Sequence, residues 1–174
     1  MAKLILLIGL PGSGKSSLAQ QLVAECNRRF LISTDAIRAQ LFGDEGVQGP
    51  WLLVRRQVQQ QFQQAVEQIL QGKASEAIYD ATNAARHQRR EALALARASG
   101  FTHITGLWVD TPVMLCLERN QGRLRQVPED VIWHMHRQLQ DAPPAPSEGL
   151  ERLIRYTRIA STEIAIAPLR NNRP

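Results

Sequence analysis

Short apolar runs alternate along the chain with amphipathic stretches. The runs at 3–8, 30–33, 77–79 and 103–109 are mostly apolar, and their lengths fit strands that are buried on both faces. Between them apolar residues recur every three or four positions, most regularly in 51–71, and this period predicts helices. Because strands that alternate with helices favour a parallel sheet covered on both faces, we predict a three-layer α/β sandwich.

The same pattern places the helices and the loops. Helices are predicted at 16–27, 34–42, 51–71, 86–99, from Thr111 to about 122, and from Pro128 onward. Thr111 and Pro112 are expected to serve as the cap and the first-turn residue of the fifth helix. The proline-rich segment 141–149 predicts a loop, 153–156 fits a last strand, and 171–174 is expected to fray.

Length and composition fit a single globular domain over 1–174, although 150–174 shows no clear pattern. The apolar run 4–10 is too short to span a bilayer and leads into a glycine loop, so we expect a buried strand of a cytoplasmic protein. Cys26 and Cys116 lie far apart in helix-like stretches without metal-ligand spacing, and we expect two buried thiols. The net charge of +5 favours polyanionic partners such as nucleotides or nucleic acid.

A glycine-rich loop follows the first predicted strand. Its sequence, with the spacing G-x-x-x-x-G-K-[ST], is Gly9-Leu10-Pro11-Gly12-Ser13-Gly14-Lys15-Ser16. In such loops the glycines let backbone N–H groups turn toward phosphate oxygens, Lys15 would reach the outer phosphates, and the Ser16 hydroxyl would ligate Mg²⁺. The helix that starts there points its positive end at the same anion. We therefore predict ATP and Mg²⁺ as cofactors, with the nucleotide bound through Gly12, Ser13, Gly14, Lys15, Ser16 and Ser17.

A carboxylate and a guanidinium follow the second predicted strand. Asp35 and Arg38 are three residues apart at the start of a helix, so both side chains project from one face. Asp35 has the chemistry of a general base for an attacking hydroxyl, and Arg38 that of a bidentate grip on an anionic acceptor. From this segment alone, a favourable helix start with a solvated arginine explains the pattern equally well.

A polar turn, Asp80-Ala81-Thr82-Asn83, follows the third predicted strand. Asp80 could orient the magnesium shell or tether Arg38, while turn-making by Asp and Asn is the alternative explanation. Further along, Arg86, Arg89 and Arg90 are predicted to extend a basic track from this turn toward a polyanion.

A third arginine group lies near the predicted fifth helix. Arg119 and Arg123 are four residues apart, which places them on one helical face, and Arg125 follows in a polar tip before Pro128. Arginines that close over a transferring phosphate stabilise the charge that develops there. A solvated basic face is the alternative.

These motifs occur together in the order of a known family. They are the phosphate loop, Ser33-Thr34-Asp35-Ala36-Ile37-Arg38, Tyr79-Asp80-Ala81-Thr82-Asn83 with Arg89-Arg90, and Glu118-Arg119-Asn120-Gln121-Gly122-Arg123 with Val127-Pro128-Glu129. Over about residues 1–150 the chain resembles the kinase domain of phage-type 5′-hydroxyl polynucleotide kinases. It also resembles the broader group of small P-loop kinases, which includes zeta-toxin-like and AAA-type ATP-binding kinases.

The resemblance implies a P-loop NTPase-type sheet of order 2-3-1-4-5 and a helical lid at about 119–139. It also implies roles for individual residues: Asp35 as the general base, Arg38 as a contact to the acceptor nucleotide's phosphate, and Arg119 and Arg123 as catalytic contacts to the donor phosphates beside Lys15. From their place in the polar turn, we further predict Asp80, Thr82 and Asn83 as substrate-binding residues. Ser16 would be the metal ligand.

Three functions remain open on the sequence. The first is an ATP-dependent kinase acting on the 5′-hydroxyl of RNA or DNA; the second is a kinase for a small hydroxylated metabolite, since the same motifs serve kinases of sugars, antibiotics and aminoacylated RNA. The third is a nucleotide-binding switch or ATPase that regulates a partner. The phosphatase segment of phage-type enzymes, with its Asp-x-Asp start, has no match in these 174 residues.

Overall fold

One twisted sheet organises the chain. The computed structural model describes residues 1–158 and 164–168. Within them the strands are β1 (Lys3–Ile8), β2 (Arg29–Ser33), β3 (Glu76–Asp80), β4 (His103–Val109), β5 (Arg152–Arg158) and β6 (Ile164–Pro168). Their order is β2-β3-β1-β4-β5-β6, and β1 to β5 are parallel, which confirms the predicted order 2-3-1-4-5. The antiparallel edge strand β6, which pairs with β5, was not predicted.

Six α-helices connect the strands in the described residues. They are α1 (Lys15–Glu25), α2 (Thr34–Phe42), α3 (Trp51–Leu70), α4 (Arg86–Ser99), α5 (Val113–Gln121) and α6 (Glu129–Asp141), with a short 3-10 turn at Pro146–Glu148. These bounds lie within about two residues of the predicted ones. The predicted cap of α5 is wrong, because the cap is Pro112 and the Thr111 hydroxyl instead donates to the Ser13 carbonyl at 2.9 Å. The expected fraying of 171–174 lies outside the described residues.

Helices cover both faces of the sheet, and the apolar cluster on one face is much larger than that on the other. A large cluster joins one face to α3, α4 and α6, with Phe62 of α3 edge-on to Tyr79 and Phe101 at ring-centroid distances of 5.1 and 5.5 Å. A small cluster under α1 is built on Leu7, Ala19 and Ile78. No helix among the described residues combines the length and the apolarity that crossing a membrane requires.

An ion pair is buried between the first turn of α4 and the segment after α6. The Arg89 guanidinium donates two hydrogen bonds of 2.7 Å to the Glu148 carboxylate, and further bonds of 2.7 Å to the carbonyls of Ala84 and Ala142. The two side chains are 1% and 2% exposed. The predicted basic track is therefore wrong for Arg89, because its charge is buried and paired with Glu148.

The two thiols differ in their surroundings. Cys116 is buried in α5, as expected, but Cys26 is only half-buried and follows the end of α1. The expectation of two buried helical cysteines is thus wrong for Cys26.

Candidate functional site

The phosphate loop runs from the end of β1 to the start of α1. Gly12 and Gly14 have φ of 80° and 92°, a left-handed conformation that glycine adopts without strain. A Cβ at Gly12 would lie 2.3 Å from the Cys116 carbonyl oxygen, so the loop packs directly against α5. The Gly9 N–H donates to the Thr82 carbonyl at 3.0 Å, which ties the loop to the turn after β3.

Lys15, at the first position of α1, lies over this loop. Its ammonium group donates to the Leu10 carbonyl at 3.4 Å. Burial lowers the pKa of Lys15, while the carboxylates of Asp80 and Asp35 act to raise it. Both Asp80 and Asp35 are therefore near enough to act on the charge of the ammonium group.

Asp80, the last residue of β3, is buried beside Lys15 and Ser16. Burial raises its pKa, and the nearby Lys15 charge and a hydrogen bond with the Ser16 side chain oppose that shift. Its Oδ1 has no hydrogen-bond partner. A buried carboxylate oxygen without a partner, next to a hydroxyl, is a donor set of the kind that Mg²⁺ prefers, so Ser16 and Asp80 fit this ion. No group of three or more His, Cys, Asp or Glu side chains in the described part of the chain forms a metal-binding cluster.

Asp35 lies in the first turn of α2, where the Ser33 hydroxyl accepts the Ala36 N–H at 3.3 Å. Arg38 Nη1 donates to Asp35 Oδ1 at 3.1 Å, so these residues share a helix face as the spacing predicted. The suggested tether from Asp80 to Arg38 is wrong, because Arg38 pairs with Asp35 and its buried Nε has no partner.

The turn after β3 divides its predicted site residues between two environments. Thr82 lines the central cavity. Asn83 is buried, has a φ of 49°, and donates from Nδ2 to the Leu7 carbonyl at 2.8 Å. The Asn83 amide therefore holds the turn against β1, and its role in substrate binding stays a prediction.

The segment predicted as the lid, about 119–139, consists of the end of α5, the loop 122–128 and most of α6. Arg119 lies in the last turn of α5, whereas Arg123 follows the end of that helix at Gln121, so the prediction of a shared helical face is wrong. Asn120 closes the loop: its side chain donates to the Val127 carbonyl at 2.8 Å and accepts the Val127 N–H at 2.9 Å. The sequence did not predict these two hydrogen bonds. The available signal was Asn120 itself, a polar residue on the buried face of α5.

All four motif groups contribute to the wall of one cavity of about 770 Å³. Of the predicted residues, those that line it are Gly12, Gly14, Lys15, Ser16, Ser17, Asp35, Arg38, Thr82, Arg119 and Arg123. Ser13, Asp80 and Asn83 lie buried behind its wall. Gln48, Gln88 and Arg125 also line the cavity and were not predicted as site residues. Among its described lining residues, five carry a positive charge and one, Asp35, carries a negative charge.

Comparison with known proteins decides the family. A family model described as an AAA domain matches residues 4–142, which is most of the chain. The chain belongs to this family. A search of the curated proteins finds no significant match.

Solved structures share the fold of this AAA-domain chain. A structure of the Pnkp1/Rnl/Hen1 RNA repair complex matches with a TM-score of 0.65 at 23% identity, over 80% of this chain and 44% of that one. A gluconokinase from Sinorhizobium meliloti 1021 matches with a TM-score of 0.55 at 18% identity, over 91% and 83%. The APS kinase CysC of Mycobacterium tuberculosis, in complex with AMPPNP and APS, matches with a TM-score of 0.52 at 19% identity, over 68% of each chain. The chain thus spans less than half of the matched chain of the RNA repair complex and most of the gluconokinase.

Proposed function

We propose that this chain is an ATP-dependent kinase that transfers the γ-phosphate of ATP to a hydroxyl group, and that the acceptor is the 5′-hydroxyl end of a polynucleotide. The observation that carries the proposal is the single cavity in which the phosphate loop and the Asp35–Arg38 pair face each other beside the lid arginines. A nucleotide phosphate at the loop and a hydroxyl at Asp35 would meet inside that cavity.

The donor half of the proposal rests on the phosphate loop. Lys15, Arg119 and Arg123 supply three positive charges to the cavity wall, which suits the charge of a nucleoside triphosphate. Ser16 and Asp80 would hold Mg²⁺, which when bound neutralises charge on the transferring phosphate. The structural likeness to a kinase solved with AMPPNP supports ATP as the donor.

The acceptor half rests on Asp35. In the proposed step the acceptor oxygen forms a bond to the γ-phosphorus, its proton passes to the Asp35 carboxylate, and the bond from the γ-phosphorus to the bridging oxygen breaks to release ADP. Asp35 Oδ1 already accepts a hydrogen bond from Arg38, so the carboxylate is held in one orientation at the cavity wall. Asp35→Asn should therefore slow the transfer by about 10² to 10⁴ while ATP still binds.

One observation favours a second candidate, a kinase for a small hydroxylated metabolite. The chain covers 83% of the gluconokinase and 86% of a sugar kinase from Janibacter sp. HTCC2649, but only 44% of the RNA repair chain. Against it, Arg38 and Arg125 add two positive charges at the Asp35 end of the cavity, and a neutral sugar has no group to pair with them.

The test is an acceptor screen with radiolabelled ATP. It offers 5′-hydroxyl RNA and DNA oligonucleotides, nucleoside 3′-monophosphates, gluconate and neutral sugars side by side, with a reaction without acceptor to measure hydrolysis. We expect the oligonucleotides to be labelled fastest, and Lys15→Ala to abolish the labelling. Asp130→Asn, an exposed change outside the cavity, is the control for Asp35→Asn. Faster labelling of a neutral sugar would establish the second candidate, and hydrolysis without transfer would establish an ATPase.

A further inference from the structure

Arg125 reaches across the cavity from the lid to the acceptor side. It lies in the loop between α5 and α6, yet its Nη1 is 3.8 Å from Asp35 Oδ2 and 3.6 Å from Glu45 Oε1. Asp35 lies in the first turn of α2, and Glu45 follows the end of that helix. Asp35 is thus placed between two guanidinium groups, with Arg38 at one carboxylate oxygen and Arg125 at the other.

These two contacts of Arg125 are easily exchanged. Both distances exceed that of a hydrogen bond, and the side chains of Arg125, Asp35 and Glu45 are 30%, 45% and 48% exposed. Exposed ion pairs of this kind add little stability. A ligand with a more strongly charged and better placed anionic group would therefore displace both carboxylates.

The loop after α2 leaves the space that Arg125 occupies. A Cβ at Gly46 would lie 3.0 Å from the Arg125 Nε, so this glycine allows the guanidinium to lie against the backbone. The Gly46 N–H donates to Asp44 Oδ1 at 2.6 Å, which fixes the loop under it. Arg125 is therefore held at the cavity wall next to Asp35.

We propose that Arg125 is a specificity-determining residue, which binds a phosphate group adjacent to the acceptor hydroxyl. This inference rests on the proposed function and narrows its substrate class to hydroxyl compounds that carry such a phosphate. When the phosphate binds, Arg125 exchanges Asp35 and Glu45 for it. Asp35 Oδ2 is then free to accept the hydroxyl proton, whereas an acceptor without a phosphate leaves Arg125 on the carboxylate.

The test measures binding, so that it does not depend on turnover. Calorimetry with Mg²⁺ and AMPPNP present gives the dissociation constants of a nucleoside 3′-monophosphate and of the same nucleoside without phosphate. Arg125→Gln should raise the dissociation constant of the monophosphate by about 10-fold to 100-fold, as loss of hydrogen bonds to a charged group does. The dissociation constant of the nucleoside should not change. Glu45→Gln should lower the dissociation constant of the monophosphate by about two- to fivefold, because it removes a carboxylate that competes for Arg125. Arg137→Gln, an exposed change on α6 outside the cavity, controls for the loss of one positive charge.

The outcomes separate this inference from the proposed function. Equal weakening by Arg125→Gln and Arg137→Gln, a weaker monophosphate complex in Glu45→Gln, or no binding of the monophosphate to the unmodified protein would each overturn it. The expected binding pattern in a protein that labels no hydroxyl acceptor would support the phosphate contact and refute the kinase.

Discussion

The buried ion pair between Arg89 and Glu148 allows a sharp prediction about stability. Arg89→Met keeps the length of the side chain but removes the guanidinium. The Glu148 carboxylate, 2% exposed, and the carbonyls of Ala84 and Ala142 then lose their donor inside the protein. Removing one partner of a buried pair costs about 3–5 kcal/mol, because the remaining buried charge loses its close counterion. The exposed Arg86 side chain, whose Nε lies 3.8 Å from Glu148 Oε1, compensates that charge only in part. That is a large share of the roughly 5–15 kcal/mol by which a domain is stable.

Thermal and urea unfolding measure the effect. For a chain of this size about 1 kcal/mol corresponds to roughly 2–4 °C, so the Tm should fall by about 6–20 °C. The double variant Arg89→Met with Glu148→Leu removes both charges, and we expect it to recover most of the loss. Arg55→Met is the matched control, since Arg55 pairs with Glu91 at 40% and 38% exposure and should lose at most about 1 kcal/mol. A single Arg89 variant that unfolds with the control, or a double variant no more stable than the single one, would refute this account.

Three further predictions concern the site and the thiols. Gly12→Ala should lose roughly 1–3 kcal/mol more than Gly43→Ala in urea unfolding, because both glycines have positive φ but only the Cβ at 12 meets a backbone oxygen, that of Cys116. At pH 8, iodoacetamide should modify one thiol of the folded protein and two of the unfolded protein, as counted by mass spectrometry. Burial raises the pKa of Cys116 to about 11, whereas the pKa of the half-buried Cys26 is lowered, chiefly by a hydrogen bond from the Arg28 backbone. Arg123→Ala should slow phosphoryl transfer by up to about 10³-fold with an unchanged Tm, since this lid residue is exposed; a large fall in Tm would show a structural role instead.

The sequence predicts the sheet well because its strands are local, nearly continuous apolar runs. The runs ending at Ile8, Asp80 and Val109 each precede a polar or glycine-rich turn, and the run ending at Ser33 leads directly into α2. The structure places all four in the parallel sheet. The edge strand β6 was missed because five residues that end in Pro168 make a weak strand pattern.

The errors occur where tertiary contacts decide. Thr111 is a residue type that commonly caps helices, but its hydroxyl donates instead to the Ser13 carbonyl, almost a hundred residues away along the chain. Arg89 belongs to a run of charges that predicts a solvated surface, and only the position of Glu148 shows that it is buried. Arg125 was recognised as part of a polar tip, yet nothing local indicates that it meets Asp35 and Glu45. The spacing of residues along the sequence predicts which side chains have the chemistry of a site. Which of them come into contact depends on the tertiary fold.

The central position of β1 bears on how the molecule folds. This strand carries the phosphate loop, and it pairs with β3 at Leu6↔Tyr79 and with β4 at Ile8↔Trp108, both of which come much later along the chain. Loop-closure entropy has to be overcome before such pairs form, so parallel sheets with distant partners fold slowly. The Arg89–Glu148 contact then closes a still later segment onto the first turn of α4. During synthesis the glycine loop is therefore made early but acquires its shape late, and a nascent chain that ends before 148 should bind nucleotide poorly even though it contains the whole phosphate-loop motif.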